Sequence, residues 1–256
     1  MTVNISPNFW WTKYSRALFI LSITYRPGVD FSVEQSSYAM QCFIVSITKL
    51  LPNKYFQSLF NDFIVMKPNV LPTLQKAVPK FFAFFPDYER TISQYPQNFL
   101  EISSRSNDSM FIWVYLLHIY IFQTFNDKGH NIDIPTLTEL KENYNPERLS
   151  KYDWGPPVWF IIHMSAMFAP EPCQQSFYDY KSLLGCLQYL LPCAKCRGHL
   201  SENLTKINIE SCSKTRQGMF QLSWELHNIV NKDTGKKIMS FEEAVQLYSP
   251  RREEME

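Results

Sequence analysis

The sequence predicts an all-α protein: a C-terminal bundle of four helices and a short fifth, preceded by a second helical region. Three observations predict it. Apolar residues recur at helical spacing, no segment alternates as a half-buried strand would, and prolines fall where helices start or stop. In the first half, helical periodicity is broken at Pro27, Pro52, Pro68, Pro72, Pro79, Pro86 and Pro96. That half ends in an apolar helix, FIWVYLLHIYIF, which begins at Phe111. A polar stretch over 126–153 follows, and it places a boundary close to Pro146, between a 1–146 region and a 147–256 region.

The second region is read element by element. Asp153 caps a helix with Pro156 and Pro157 in its first turn, running through VWFIIHMSAMF and ending before Pro170 and Pro172. SFYDYKSLLGCLQYLL (176–191) forms the next and stops at Pro192. A third starts at the Cys-x-x-Cys of CAKCRGHLSENL, and a long fourth runs from about Ser213 through Asn231. Ser240 and Glu243 form a capping box that opens the short fifth, FEEAVQLY.

Composition narrows the functional classes. A formal charge of +1 gives no basic field for nucleic acid. Apolar residues make up 45% and charged residues 19%, an ordinary globular balance. The run ALFILSITY (17–25) is too short for a membrane span, and no small-residue cleavage site follows it. A non-secreted protein in a reducing compartment is expected, which makes the sequons at Asn4, Asn107 and Asn203 chance matches. The six cysteines are unevenly spread: Cys42 stands alone, while Cys173, Cys186, Cys193, Cys196 and Cys212 crowd the second region.

Cys193 and Cys196, in LPCAKCRGHL, are the first chemical candidates. Pro192 puts them at a helix start, where free amides and the dipole favour a thiolate on Cys193; Lys195 and Arg197 add positive charge. Thiol–disulfide exchange fits this setting. A zinc site using Cys193, Cys196, His199 and Cys212 fits the spacing too, as does a plain structural pair. On local sequence the three readings stand level. Two further stretches carry paired side chains one turn apart: Trp159 and His163 in WGPPVWFIIH, and His227 and Asn231 in HNIVN, with Asn228 alongside.

Taken together, W-G-x-x-x-W-x-x-x-H, then P-C-x-x-C, then H-N-x-V-N followed by Gly-Lys, resembles the Erv/ALR family of FAD-dependent sulfhydryl oxidases over about 150–250. The resemblance implies a flavin held by Trp154, Gly155, Trp159, His163, Phe168, His227, Asn228, Val230 and Asn231. It implies Lys232, Lys236 and Lys237 at the diphosphate and Tyr248 closing the pocket. It further implies Cys193 as the sulfur that meets substrate and Cys196 as the one beside the flavin, with no metal. Electrons would pass from protein thiols through the pair to FAD and on to O2, giving H2O2.

Several features depart from the family pattern. Pro156 stands where many members have an arginine, and no cysteine precedes HN-x-VN to staple the short helix. No second CxxC or CxC offers a shuttle disulfide; Cys173, Cys186 and Cys212 are readable as a pair, a relay or inert thiols. The segment 111–144 aligns loosely with 220–248, setting His118 on His227 and Tyr144 on Tyr248, as a degenerate copy lacking the CxxC would. In this the chain is similar to two-domain sulfhydryl oxidases of baculoviruses and related large nuclear DNA viruses. That similarity implies action on virion proteins in host cytoplasm or nucleus, or in the virion, and the family resemblance implies a homodimer. The competing functional class is a non-catalytic interaction module, either zinc-stabilised or an inactive FAD-binding scaffold.

Overall fold

The computed structural model describes residues 7–249 except Pro52, so the expected break at Pro52 and the sequon at Asn4 lie outside the described residues. Within them the secondary structure is helical, with no strand. The α-helices are, in chain order, α1 (Pro7–Ile23), α2 (Val33–Leu50), α3 (Lys54–Ile64), α4 (Val70–Ala77), α5 (Pro79–Phe84), α6 (Pro86–Gln94) and α7 (Phe99–Ser103). They continue with α8 (Asn107–Asn126), α9 (Leu137–Asn143), α10 (Lys151–Met167), α11 (Cys173–Leu190), α12 (Ala194–Lys206), α13 (Arg216–Asp233) and α14 (Phe241–Tyr248).

The prolines act mainly as initiators. Pro79 and Pro86 occupy the first position of α5 and α6, where a missing N–H costs nothing. Pro72, expected to break a helix, instead sits inside the first turn of α4, where the amide would be unpaired anyway. Likewise α10 starts three residues before the expected site. Its cap is Ser150, in a capping box with Asp153, so Pro156 and Pro157 lie within the helix and past its first turn. The box satisfies the opening amides, which outweighs the two prolines as a start signal.

The chain forms two compact units. One comprises the described parts of Met1–Ala17, Cys42–Lys54 and Ser150–Glu256; the other comprises Leu18–Gln41 and Tyr55–Leu149. In the first, α10 and α13 pack along each other, α11 and α12 flank them, and α14 lies across α10 and α13. The first part of α1 joins this bundle, with Tyr14 edge-on to Phe160 at 6.0 Å. Phe177, Tyr180, Leu183, Leu184, Met219 and Leu226 are fully buried and form its core.

The second unit is built around α8, in which every residue from Met110 to Ile121 is buried. A helix apolar on all sides must be wrapped rather than laid on a surface. Phe111 meets Phe19 at 5.4 Å, Trp113 meets Phe63 at 5.1 Å and Tyr115 meets Phe81 at 5.6 Å. Asn107 Nδ2 donates to the carbonyls of Ser22, Ile23 and Tyr25 at 3.0, 2.9 and 2.8 Å, closing the end of α1. That role occupies the sequon asparagine, and Asn203 is only 1% exposed, so neither is open to a glycan.

Candidate functional site

The CxxC sits at the start of α12, where Leu191 and Pro192 end the preceding helix. Cys193 is the N-cap: the backbone N–H of Cys196 donates to Cys193 Sγ at 3.2 Å. Arg197 folds back to donate from Nη1 to Leu191 O at 2.6 Å, fixing the approach to the motif. Both cysteines are half-buried thiols. Burial first, then the hydrogen bond with Cys193, pushes the Cys196 thiol up to about 12, and the Arg197 charge opposes this. The substrate-facing candidate thus caps the helix, and its partner sits one turn along, a spacing that suits a disulfide.

A second cluster gathers where α10, α13 and α14 meet. Trp159 lies flat on His227, with ring centroids 3.9 Å apart and planes 7° apart. Tyr248, from α14, packs on His163 at 4.0 Å. His163 is buried and held by two hydrogen bonds, Nδ1 to Ser223 Oγ at 2.8 Å and Nε2 to His227 Nδ1 at 2.9 Å.

These bonds fix the protons. Ser223 Oγ donates its only hydrogen to Phe220 O at 2.6 Å, so His163 Nδ1–H must donate to Ser223. His163 Nε2 is then an acceptor, and His227 Nδ1–H donates to it, leaving a lone pair on His227 Nε2. Both rings stay neutral: burial, then the neighbouring His227, holds His163 far below its usual value, and burial, then Lys236, lowers His227 to about 4. The cluster therefore presents flat aromatic faces and an acceptor, with no charge of its own.

The end of α13 positions the lysines. Gly235 adopts φ +66°, which favours glycine, and two bonds close the helix around it: Lys236 N–H to Asn231 O at 2.8 Å and Gly235 N–H to Lys232 O at 3.2 Å. Lys232, Lys236 and Lys237 are exposed around that turn, and Lys237 pairs with Glu243 at 2.7 Å. Asn231 is buried beneath them, and Val230 is half-buried.

Some of the sequence-predicted residues are placed elsewhere or do other work. Asn228 does not present its amide openly: it donates to Met239 O at 2.8 Å and accepts from Met239 N–H at 3.0 Å. Trp224 Nε1 donates to the same carbonyl at 2.8 Å, and its ring stands edge-on to Phe241 at 5.6 Å. Together they latch the segment that leads into α14 at the place where a stapling cysteine is lacking. Trp154 and Gly155 lie half-buried on the early part of α10, and Phe168 caps its end. Among the described residues, no hydrogen bond or ring contact joins Cys193 or Cys196 to the aromatic cluster.

Sequence reasoning missed Ser223, Phe220 and the latch role of Trp224. Ser223 lies four residues before His227 on the same helix, so helical spacing alone pointed to it. The proposed zinc set is not assembled: among the described residues, no three His, Cys, Asp or Glu side chains converge on one point, Cys193, Cys196, His199 and Cys212 included. No helix among them is long and apolar enough to cross a membrane.

Comparison with known proteins gives a consistent result. Residues 156–249 match the Erv1 / Alr family. The chain is 29% identical over 100 residues to a probable FAD-linked sulfhydryl oxidase of Acanthamoeba polyphaga mimivirus, covering 38% of this chain and 70% of that protein. It is 32% identical over 97 residues to an FAD-linked sulfhydryl oxidase of African swine fever virus, covering 37% of this chain and 79% of the relative. A putative FAD-linked sulfhydryl oxidase of Invertebrate iridescent virus 3 is 23% identical over 96 residues, covering 37% of this chain and 65% of that protein. No solved structure matches the chain significantly.

Proposed function

The chain belongs to the Erv1 / Alr family, and on that premise we propose that it oxidises protein dithiols through Cys193 and Cys196 with FAD as its cofactor. Its C-terminal domain is an FAD-linked sulfhydryl oxidase in class, as are its viral relatives. One observation carries the finer reading: the same bundle holds a helix-capping CxxC and a neutral, flat-faced cluster of Trp159, His163, His227 and Tyr248.

That cluster fits a flavin. Stacked rings offer planar surfaces for an isoalloxazine or adenine, and His227 Nε2 offers an acceptor for a ring N–H or an exocyclic amine. Lys232, Lys236 and Lys237 supply exposed positive charge suited to a diphosphate. Val230 and Asn231 line the same helix end, and Trp154, Gly155 and Phe168 belong to the helix that carries Trp159. Asn228 acts in this reading by holding Met239, and so by fixing where Tyr248 stands.

The chain's own steps follow from thiol chemistry. A substrate thiolate attacks Cys193 Sγ of the Cys193–Cys196 disulfide, and Cys196 leaves as the thiolate. The second substrate thiol then resolves the mixed disulfide, which yields substrate disulfide and the Cys193/Cys196 dithiol. The first-turn amide that points at Cys193 Sγ favours negative charge on that sulfur, and the Arg197 guanidinium partly offsets the burial that disfavours it on Cys196. Bound FAD supplies a two-electron acceptor for this dithiol and a route for those electrons to O2, giving H2O2.

The unit centred on α8 reads as a degenerate copy. His118 is buried against Phe122 at 4.1 Å and Phe19 at 5.3 Å, and Tyr144 stacks on Phe19 at 5.1 Å, so the counterparts of His227 and Tyr248 are taken up in ring packing of their own. Burial lowers His118 to about 3. Gly129, at φ +93°, follows α8 as Gly235 follows α13. The relatives are viral enzymes, and the reading extends to virion proteins as substrates in host cytoplasm or nucleus, with the chain acting as a homodimer.

The test is the visible spectrum of the purified protein. Flavin bands should bleach with a dithiol and recover in air, and Cys196→Ser should keep the bands but lose both changes. A colourless protein would overturn the cofactor assignment; bands that never bleach would overturn the oxidase.

A further inference from the structure

Cys42 and Cys186 stand outside the site described above, on α2 and α11 of the same unit. These helices meet through Lys49 Nζ and Asp179 Oδ1, 3.1 Å apart, with the Asp179 side chain only 12% exposed. Cys42 lies seven residues before Lys49, and Cys186 lies seven residues after Asp179. Seven residues are about two helical turns, roughly 10.5 Å of axis. An antiparallel register that opposes Lys49 to Asp179 therefore opposes Cys42 to Cys186. The side chains bear this out: Cys42 is a side-chain hydrogen-bonding and Coulombic neighbour of Cys186. Cys42 is half-exposed and Cys186 is 8% exposed, so one sulfur is reachable and the other lies behind it.

We propose that Cys42 and Cys186 are a second redox pair, which closes into a disulfide that staples α2 to α11. Access sets the order of events. The Cys42 thiolate attacks an incoming disulfide, forming a mixed disulfide and expelling one thiolate. Cys186, losing its proton to solvent, attacks Cys42 Sγ, closes the Cys42–Cys186 bond and expels the second thiolate. Two electrons pass to the incoming disulfide, which leaves as two thiols. That oxidant is a disulfide in either source: the oxidised Cys193–Cys196 pair of another copy, or a small disulfide such as oxidised glutathione. Burial pushes the Cys186 thiol up to about 12, so Cys186 is slow both as the attacking thiolate and as the leaving group, and the bond persists once made. The span from 42 to 186 is long, and closing a long loop restricts the unfolded chain most.

The experiment is disulfide mapping of the full-length protein, blocked with N-ethylmaleimide in denaturant and digested without reductant. The protein is first held with oxidised glutathione. A peptide linking Cys42 to Cys186 is expected, in the wild type and equally in Cys196→Ser, which separates the staple from the proposed oxidase activity. Without glutathione, loss of the link in Cys196→Ser but not in wild type would name the CxxC as its source. Oxidised wild type should melt roughly 5–15 °C above Cys42→Ser, and dithiothreitol should close that gap. Cys42→Ser should leave thiol oxidation unchanged. Cys42 and Cys186 both found alkylated after oxidised glutathione, or linked to other cysteines, would overturn the proposal.

Discussion

Acidification should loosen the oxidase bundle through His227, and the size of the effect can be worked out. The folded ring has its pKa lowered from 6.5 to about 4, by burial first and by Lys236 second. A depressed folded pKa means that the unfolded chain binds the proton more readily. The stabilisation is therefore complete above about 6.5 and is lost as pH falls towards 4. For those two values the loss between pH 7.5 and pH 5 is about 2 kcal/mol, and His163 adds to it in the same direction. The assay is urea unfolding of wild type and His227→Asn at both pH values. Asparagine sets an N–H where Nδ1 stands, so it keeps the donor to His163 Nε2 while removing the titration. Carboxylates and other groups titrate alike in both proteins, so the difference between them isolates the ring. The wild type should lose about 2 kcal/mol more than the variant. Equal losses would refute the reasoning, since they would mean that the His227 ring is not held neutral by its surroundings.

The latch and the cap invite simpler tests. Asn228→Ala removes two hydrogen bonds to Met239 and should cost about 1–3 kcal/mol in thermal or urea unfolding, with faster loss of flavin on dilution. Trp224→Phe keeps the ring against Phe241 but loses the bond to Met239 O, so about 1 kcal/mol is expected, and the double variant should fall short of the sum because both donors share one carbonyl. Asn107→Ala leaves the carbonyls of Ser22, Ile23 and Tyr25 without this donor and should destabilise the α8-centred unit by about 1–3 kcal/mol, while thiol oxidation by the folded protein stays unchanged.

Much of this was legible before any coordinates, for identifiable reasons. The capping box at Ser240 and Glu243 is a local signal that needs nothing distant, and α14 starts where it says. The CxxC likewise announces itself through Pro192, and α12 begins at the next residue after Cys193. Local signals compete at α10, where Asp153 looked like the cap: it is the far member of a box whose near member is Ser150. Pro72 misled because a proline in a helix's first turn and one between helices look alike in sequence. The proton arrangement of His163 and His227 was not legible at all. It depends on Ser223 already having given its hydrogen to Phe220 O, a fact of packing rather than of pattern. Asn228 was readable as a polar residue beside the pocket, but its two bonds to Met239 depend on how the α13–α14 connection folds back.

The burial of α8 on every side has a consequence for how the polypeptide is made. A ribosome releases the chain from its N-terminus, and a stretch as oily as Met110–Ile121 is an aggregation hazard for as long as it hangs free. Yet the rings that enclose it, Phe19, Phe63 and Phe81, all precede it in the chain. When α8 emerges, these three rings have already been synthesised, while Tyr144, which stacks on Phe19, is still to come. The most hazardous helix of this unit is thus delivered late, into company already waiting for it.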